Sequence, residues 1–485
     1  MIYGTLKLIA STGLKIFFRK ISTQNIKSIP SKGPVIFVCN HPNLIIDAWL
    51  VGMTCNRRLY FLAKSTIFKG KTISWILSKL GLIPVYRKQD GDGDTKKNKD
   101  TFIKAYKILE DNGSFLIFPE GISVAERKLN KIKTGAARIG FGAMVQDNWD
   151  LDVTIVPVGL SYENVIKFKS EVIIKYGNPL KLVEYKEDYL KDEIQAVRKV
   201  TKKIEEEIVG LTTNVKILEH EEIVNALELI YKKELMHDLG LNIKNKSDEF
   251  SITKGLIDGV EWFFQHEPSK IKEFKSLFKS YKNKLDLLGL RDEYIQTNIK
   301  SITLFDRIYI YLYMIIGFPF YVYGLINNYI PYKLPRWIAK KFTRAKSEIA
   351  SAKLLSGMIV FIFYYALLLS IFNKTINEGA LTIVYALTLL PSGNFVLSYY
   401  FHVQKYRQYM RFFSIFYQKR YVMQQVAEER LAIIKYNSDG ILQWIRYFKT
   451  KRNDISIKVT ISNDRSIYIT GYTEKIIDKT KNLFK

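Results

Sequence analysis

The sequence is poor in the residues that build disulfide scaffolds and metal centres. Among 485 residues there are two cysteines and five histidines. Cys39 and Cys55 have neither a pairing pattern nor metal-ligand spacing. They argue against a disulfide framework and read as small buried apolar groups rather than reactive thiols. His220, His237, His266 and His402 are scattered, so no metal site is indicated. A hydrolase nucleophile elbow is missing too, because Gly159-Leu160-Ser161-Tyr162-Glu163 has glutamate where that motif needs glycine. Gly91-Asp92-Gly93-Asp94 lacks the remaining glycines and the lysine of a phosphate-cradling loop. No convincing cleavable leader is present: Ile2–Phe18 is interrupted by Lys7 and Lys15 and lacks a small-residue cleavage site. Acidic residues are in deficit, with 47 Asp and Glu against 74 Lys and Arg, a formal net charge of +27. Such a balance calls for an anionic partner: nucleic acid, a membrane surface or a phosphorylated small molecule.

What is present divides the chain into five parts. In residues 1–26, Ile2, Leu6, Ile9, Gly13 and Ile16 fall at helical spacing with the basic residues off that stripe. This suits a helix lying in a membrane interface, or an amphipathic helix packed on a domain. Residues 27–185 alternate short apolar runs with helical stretches, which predicts an α/β domain whose sheet is flanked by helices. The expected strands are Val35–Val38, Leu59–Leu62, Ile83–Val85, Ser114–Phe118, Thr154–Val158 and Val172–Tyr176. Expected helices are Leu44–Val51, Thr72–Leu80 and Thr101–Asp111, and Gln89–Lys99 reads as a mobile polar loop. Residues 186–305, rich in lysine, glutamate and leucine, read as a helical module. Residues 306–403 hold three long apolar stretches, Ile308–Ile326, Leu354–Phe372 and Ala380–Tyr400, each near the ~20 residues that cross a hydrocarbon core.

Charge orders these stretches. Pro331–Lys353 carries seven Lys and Arg against Glu348 alone, which marks it as cytoplasmic. Two crossings, a transmembrane hairpin of 354–372 and 380–400, keep every basic segment on one side. Ile308–Ile326, broken by Gly317-Phe318-Pro319, then lies in the interface or re-enters. Residues 404–485 return to helix and end in a β-hairpin signal, Ile455–Ile461 and Ser466–Thr470.

The chemistry concentrates after the first strand. In Asn40-His41-Pro42-Asn43-Leu44-Ile45-Ile46-Asp47, a histidine sits where a strand gives way to a helix, and an aspartate follows after five residues. Asn40 and Asn43 suit a turn or a helix cap. The aspartate can reach back to the imidazole, set its tautomer and support the imidazolium, which is apparatus for deprotonating a hydroxyl. Four further stretches follow in order: Phe61-Leu62-Ala63-Lys64, Gly81-Leu82-Ile83-Pro84-Val85-Tyr86-Arg87, Phe118-Pro119-Glu120-Gly121-Ile122-Ser123 and Ile155-Val156-Pro157-Val158. Each is weak alone; the ordered set is not.

Over roughly Lys27–Leu182 this set resembles the glycerolipid acyltransferase family of glycerol-3-phosphate and 1-acylglycerol-3-phosphate O-acyltransferases. Two departures stand out: five residues between histidine and aspartate where the family commonly has four, and Ile122-Ser123 in place of Thr-Arg-Ser. Both resemble the yeast-type glycerol-3-phosphate/dihydroxyacetone-phosphate branch and its bacterial relatives, as does Lys133-Thr134-Gly135-Ala136-Ala137. The resemblance implies an acyltransferase domain with a mixed sheet. His41 is then the general base and Asp47 its support, while Arg87, Glu120, Gly121, Ser123 and Lys133 surround the acceptor phosphate and glycerol. It implies acyl-CoA or acyl-carrier protein as donor substrate, no cofactor or metal, and no enzyme nucleophile. It further implies anionic membrane lipids rather than nucleic acid as the partner of the basic surface. The setting it implies is an integral protein of a bacterial inner membrane with its catalytic domain in the cytoplasm. Acylation of 1-acylglycerol 3-phosphate or another lysophospholipid is the alternative substrate reading. An inactive membrane-anchored lipid-binding protein is the alternative of another class.

Overall fold

A computed structural model describes residues 2–86, 98–242, 245–292, 295, 304–418, 422, 425–430, 456–461 and 467–472. The chain divides into two compact units, Met1–Asn214 with Ile330–Ile371 and Val215–Tyr329 with Phe372–Lys485.

The first unit opens with α1 (Ile2–Phe17) and β1 (Lys20–Gln24), followed by β2 (Val35–Cys39), α2 (Leu44–Thr54), β3 (Leu59–Lys64), α3 (Lys71–Lys79) and β4 (Leu82–Val85). It continues with α4 (Asn98–Glu110), β5 (Ser114–Ile117), α5 (Gly135–Gln146), β6 (Thr154–Tyr162), β7 (Glu171–Tyr176), β8 (Leu180–Lys181), α6 (Lys186–Lys191) and α7 (Glu193–Leu211). The strands form one mixed sheet ordered β1-β7-β6-β2-β5-β3-β4, with β8 pairing β6. Each expected strand is present. The edge strand β1 and the two-residue β8 carry too little apolar pattern to be legible; they are placed by pairing with β7 and β6 and by Ile21 and Leu180, which pack on the two cores.

All five residues of β2 are buried, as expected of a central parallel strand covered on both faces. Alternation sorts its side chains. Val35, Phe37 and Cys39 join Leu14, Phe18, Ile46 and Leu50 in one core. Ile36 and Val38 join Phe115, Phe141, Val200 and Ile204 in the other. Each such aliphatic or aromatic side chain, fully buried, is worth roughly 1.5–3 kcal/mol. Helix α7, which composition assigned to the helical module, therefore belongs to the sheet's own core. Gly159 shows how closely it packs: a Cβ there would lie 2.5 Å from Leu211 Cβ and 2.6 Å from its carbonyl oxygen. The glycine that suggested a failed elbow is a place where strand and helix backbone meet.

In the second unit, α8 (Leu218–Ile230), α9 (Lys232–Asp238), α10 (Lys246–His266) and α11 (Pro268–Leu288) close around their own core, including Leu227, Val260 and Tyr281. Arg430, nearly buried, pairs with Asp292 at 2.8 Å and Glu234 at 2.7 Å, and Tyr281 donates to Asp292.

Three further helices, α12 (Leu304–Phe342), α13 (Lys346–Ile376) and α14 (Gly379–Gln418), contain the apolar stretches. By length and composition all three can cross a bilayer. Gly317 and Pro319 do not break α12, and Pro391 lies inside α14. Helix is the backbone state that satisfies its own hydrogen bonds in an apolar medium, so glycine and proline are tolerated there. Between the Leu304–Tyr329 part of α12 and α14, Tyr385 donates to Asn327 Oδ1 at 2.6 Å and Tyr399 to Met314 O at 2.7 Å. The C-terminal strands β9 (Ser456–Ile461) and β10 (Ile467–Tyr472) pair antiparallel, as the hairpin signal implied.

Candidate active site

Register brings the two chemical motifs together. β2 and β5 run parallel with Val38 opposite Ile117, so His41 and Glu120, each three residues beyond, leave the same sheet edge side by side. Glu120 Oε1 accepts the His41 backbone N–H at 2.9 Å. Its other oxygen accepts from the Asn130 backbone at 3.0 Å and from Asn130 Nδ2 at 2.8 Å. On the opposite side of β2, Asn40 clamps β6, accepting from Leu160 N at 2.8 Å and donating to Leu160 O at 3.0 Å. The histidine loop is thus pinned by neighbours on both flanks.

The imidazole lies flat on Phe118, with ring centroids 3.8 Å apart at 12°. His41 Nδ1 is 2.9 Å from Asp47 Oδ2. Asp47 is wholly buried, sits in the first turn of α2 and carries two more hydrogen bonds. Asn43 N–H donates to Oδ2 at 2.6 Å and the Tyr162 hydroxyl to Oδ1 at 2.5 Å. Helix N-termini favour negative charge, which suits a buried carboxylate there. Burial, and next the charge of Asp47, pushes the Tyr162 phenol well above its ordinary range, so it stays protonated and donates. Burial likewise raises the Cys39 thiol well above its usual range, with Asp47 and Glu120 adding to it. The thiol nearest the site is neutral and no nucleophile.

The five-residue spacer closes on a single unusual residue. Leu44 adopts φ +43°, the left-handed region that costs a residue with a side chain roughly 1–2 kcal/mol. The turn that contains it returns Asp47 to the imidazole. Leu44 N–H is held by Ser123 Oγ at 3.0 Å. Asn43 does not cap α2 with its side chain; its Nδ2 donates to Val165 O at 3.0 Å instead.

With an Nδ1–H held by a carboxylate, the remaining ring nitrogen is the basic one. The arrangement can accept a proton from a hydroxyl and return it to a leaving group.

Residues 20–161 match the family model described as Acyltransferase. The chain carries an Acyltransferase-family domain. It is 29% identical over 200 residues to glycerol-3-phosphate O-acyltransferase 2 of Saccharomyces cerevisiae, covering 41% of this chain and 26% of that protein. Similarity to a chloroplast 1-acyl-sn-glycerol-3-phosphate acyltransferase of Arabidopsis thaliana is 26% over 174 residues, 36% of this chain and 44% of that one. The match therefore spans less than half the length of either relative. A crystal structure of the 1-acyl-sn-glycerophosphate acyltransferase PlsC from Thermotoga maritima aligns with 20% identity and a TM-score of 0.29, over 41% of this chain and 78% of that one.

Within the acyltransferase domain the expected residues have distinct surroundings. His41 and Asp47 touch. Gly121 has φ +69°, and a Cβ there would stand 2.5 Å from Lys133 Nζ, so this turn needs glycine and brings the ammonium against it. Ser123 faces the base loop through Leu44. Glu120, expected beside the acceptor phosphate and glycerol, is almost buried with both oxygens engaged by Asn130 and His41, and holds the loop. Arg87 and most of the Gln89–Lys99 segment lie outside the described residues. Tyr162 was missed in the sequence. Its only signal is its place at the end of a strand adjoining β2, which counts once the pairing of Cys39 with Val158 is known.

Proposed function

We propose that this chain is a membrane-bound O-acyltransferase that moves a fatty acyl group from acyl-CoA or acyl-carrier protein to a hydroxyl of glycerol 3-phosphate or dihydroxyacetone phosphate. The observation that carries this reading is the 2.9 Å contact between His41 Nδ1 and a fully buried Asp47 carboxylate at the edge of the sheet. In the proposed step, His41 Nε2 takes the acceptor's hydroxyl proton as the oxygen attacks the thioester carbonyl. The C–S bond then breaks, and the imidazolium returns the proton to the departing sulfur. Asp47 compensates the imidazolium charge while it exists. Lys133, against Gly121, and Arg87 are the proposed phosphate ligands, since ammonium and guanidinium groups match phosphate oxygens. Ser123, whose Oγ accepts the Leu44 N–H, is a further candidate for the phosphate pocket.

The relative names support the substrate class. One is a glycerol-3-phosphate acyltransferase and the other acylates 1-acylglycerol 3-phosphate, so lysophosphatidate is the second acceptor to be tested. The apolar helices and the basic segment Pro331–Lys353 support a bilayer setting in which anionic lipids meet the positive surface on the catalytic side. Two crossings by α13 and α14 are proposed, with the catalytic domain cytoplasmic.

The deciding experiment supplies purified protein with labelled acyl-CoA and acyl-carrier protein and a panel of acceptors. Acylation of glycerol 3-phosphate or dihydroxyacetone phosphate is expected. Failure of these acceptors and of lysophosphatidate with both donors rejects the proposal.

Tyr162 offers a milder test of the same dyad. Tyr162→Phe removes one charge-assisted hydrogen bond from Asp47, a group of interaction worth ~1.5–3 kcal/mol. A kcat reduced about tenfold, with KM for both substrates unchanged, is the expected result, because the phenol contacts the carboxylate. An unchanged kcat means Asp47 does not depend on it.

A further inference from the structure

The helix that leaves for the membrane begins on the base loop. In α13 the buried residues are Ser347, Ala350, Ser351 and Leu354. Ser347 Oγ donates to Ser123 O at 2.9 Å. Ser351 Oγ donates to Asn43 O at 3.1 Å, and the Ile46 N–H points to the same hydroxyl at 3.4 Å. Lys353 Nζ donates to Ile166 O at 2.9 Å, next to Val165, whose carbonyl holds Asn43 Nδ2. Asn43 is also the residue whose N–H binds Asp47. Three hundred residues along the chain, α13 therefore grips both ends of the strained turn that carries the carboxylate to the imidazole.

The same helix turns apolar at once. From Leu354 to Phe372 it carries no charge, and Ile359, Ile362 and Phe363 are exposed. Leu354 lies three residues past Ser351, about 4.5 Å at the ~1.5 Å rise of an α-helix. Near this junction α1 joins it, with Gly13 so close that a Cβ would meet Met358 Sδ at 2.9 Å. Nothing in the hydroxyl contacts is needed to anchor a membrane helix, because apolar residues do that. Serines buried on a catalytic loop need another reason.

We propose that Ser351, aided by Ser347, is a positioning residue: the first turns of α13 hold the Asn43–Asp47 turn in its strained conformation. The catalytic centre is thereby complete only with this helix in place, within about one helical turn of the bilayer-facing run. This rests on the reading of His41 as the base.

The test uses the full-length protein in phospholipid vesicles, with His41→Ala measured in parallel. Ser351→Ala is expected to lower kcat about three- to tenfold, the loss of one hydrogen bond, with both KM values unchanged. The double variant Ser347→Ala/Ser351→Ala falls about 10–100-fold, the two contacts acting on separate carbonyls. Ser351→Thr, which keeps the hydroxyl, recovers most of the rate. Ser356→Ala is the control, because among the described residues that hydroxyl bonds within its own helix, to Ala352 O at 2.5 Å. A Ser351→Ala kcat within about twofold of the parent, beside an inactive His41→Ala, overturns the positioning role and leaves the base intact; a twofold change is less than one hydrogen bond. Equal loss in the threonine and alanine variants assigns Ser351 to space-filling and also overturns it. His41→Ala turnover within about tenfold of the parent rejects the base itself.

Discussion

Replacing His41 with alanine is expected to lower kcat by about 10²–10⁴-fold, the usual contribution of a positioned general base. The alcohol must then attack without a partner for its proton, while the thioester, the leaving group and the phosphate ligands stay as they were. KM for the acceptor should therefore change little. Alanine also removes the ring stacked on Phe118, so the thermal midpoint is measured alongside the rate. The pinning of the loop does not pass through the ring: Glu120 binds the His41 backbone N–H and Asn40 binds Leu160. The variant should fold and associate with membranes normally. Turnover within tenfold of the parent would sink the assignment.

Asp47→Asn carries the second-largest expected effect, about 10²-fold in kcat, the rate equivalent of ~2.7 kcal/mol. The amide fits the space but has no charge to offset an imidazolium. It also has one acceptor oxygen where the carboxylate uses two. Asn43 N–H and the imidazole claim the Oδ2 position and the Tyr162 hydroxyl claims Oδ1, so one donor must lose its acceptor. In the proposed mechanism the carboxylate works through the imidazole, so the double variant His41→Ala/Asp47→Asn should be no slower than His41→Ala alone. Kinetics of the four proteins in one vesicle preparation decides this. Multiplying losses would mean that Asp47 acts on the reaction by a separate route.

The two variants bear on the departures from the family pattern. An added residue between base and carboxylate would ordinarily part them, since a helix turn places side chains by angle. Here the turn holds them together, with a left-handed Leu44 tied to Ser123 and flanked by the Ser351 contacts. Ser123, which stands where the family has Thr-Arg-Ser, meets this turn through the Leu44 N–H.

By itself the sequence determined the periodic elements and the ordered chemistry. The apolar run Val35–Val38, bounded by the turn pair Gly33-Pro34, reads as a short buried strand, and it is the core of β2. The pairing of His41 with Asp47 was also legible, since both lie on one local turn and need no distant partner. Three uncharged stretches of bilayer length announced the apolar helices for the same local reason. Only the tertiary structure decided what crosses the sheet or returns from far along the chain. The register of β2 against β5 and β6 brought Glu120 and Tyr162 to the histidine loop, and α7 joined the sheet through Gly159 and Leu211. The docking of α13 on Asn43 and Ser123 could not be read from composition, because a serine on a helix looks the same whether it meets solvent, lipid or a carbonyl three hundred residues away. Local pattern fixes which backbone a segment adopts; the partner of a polar group is set by three-dimensional packing.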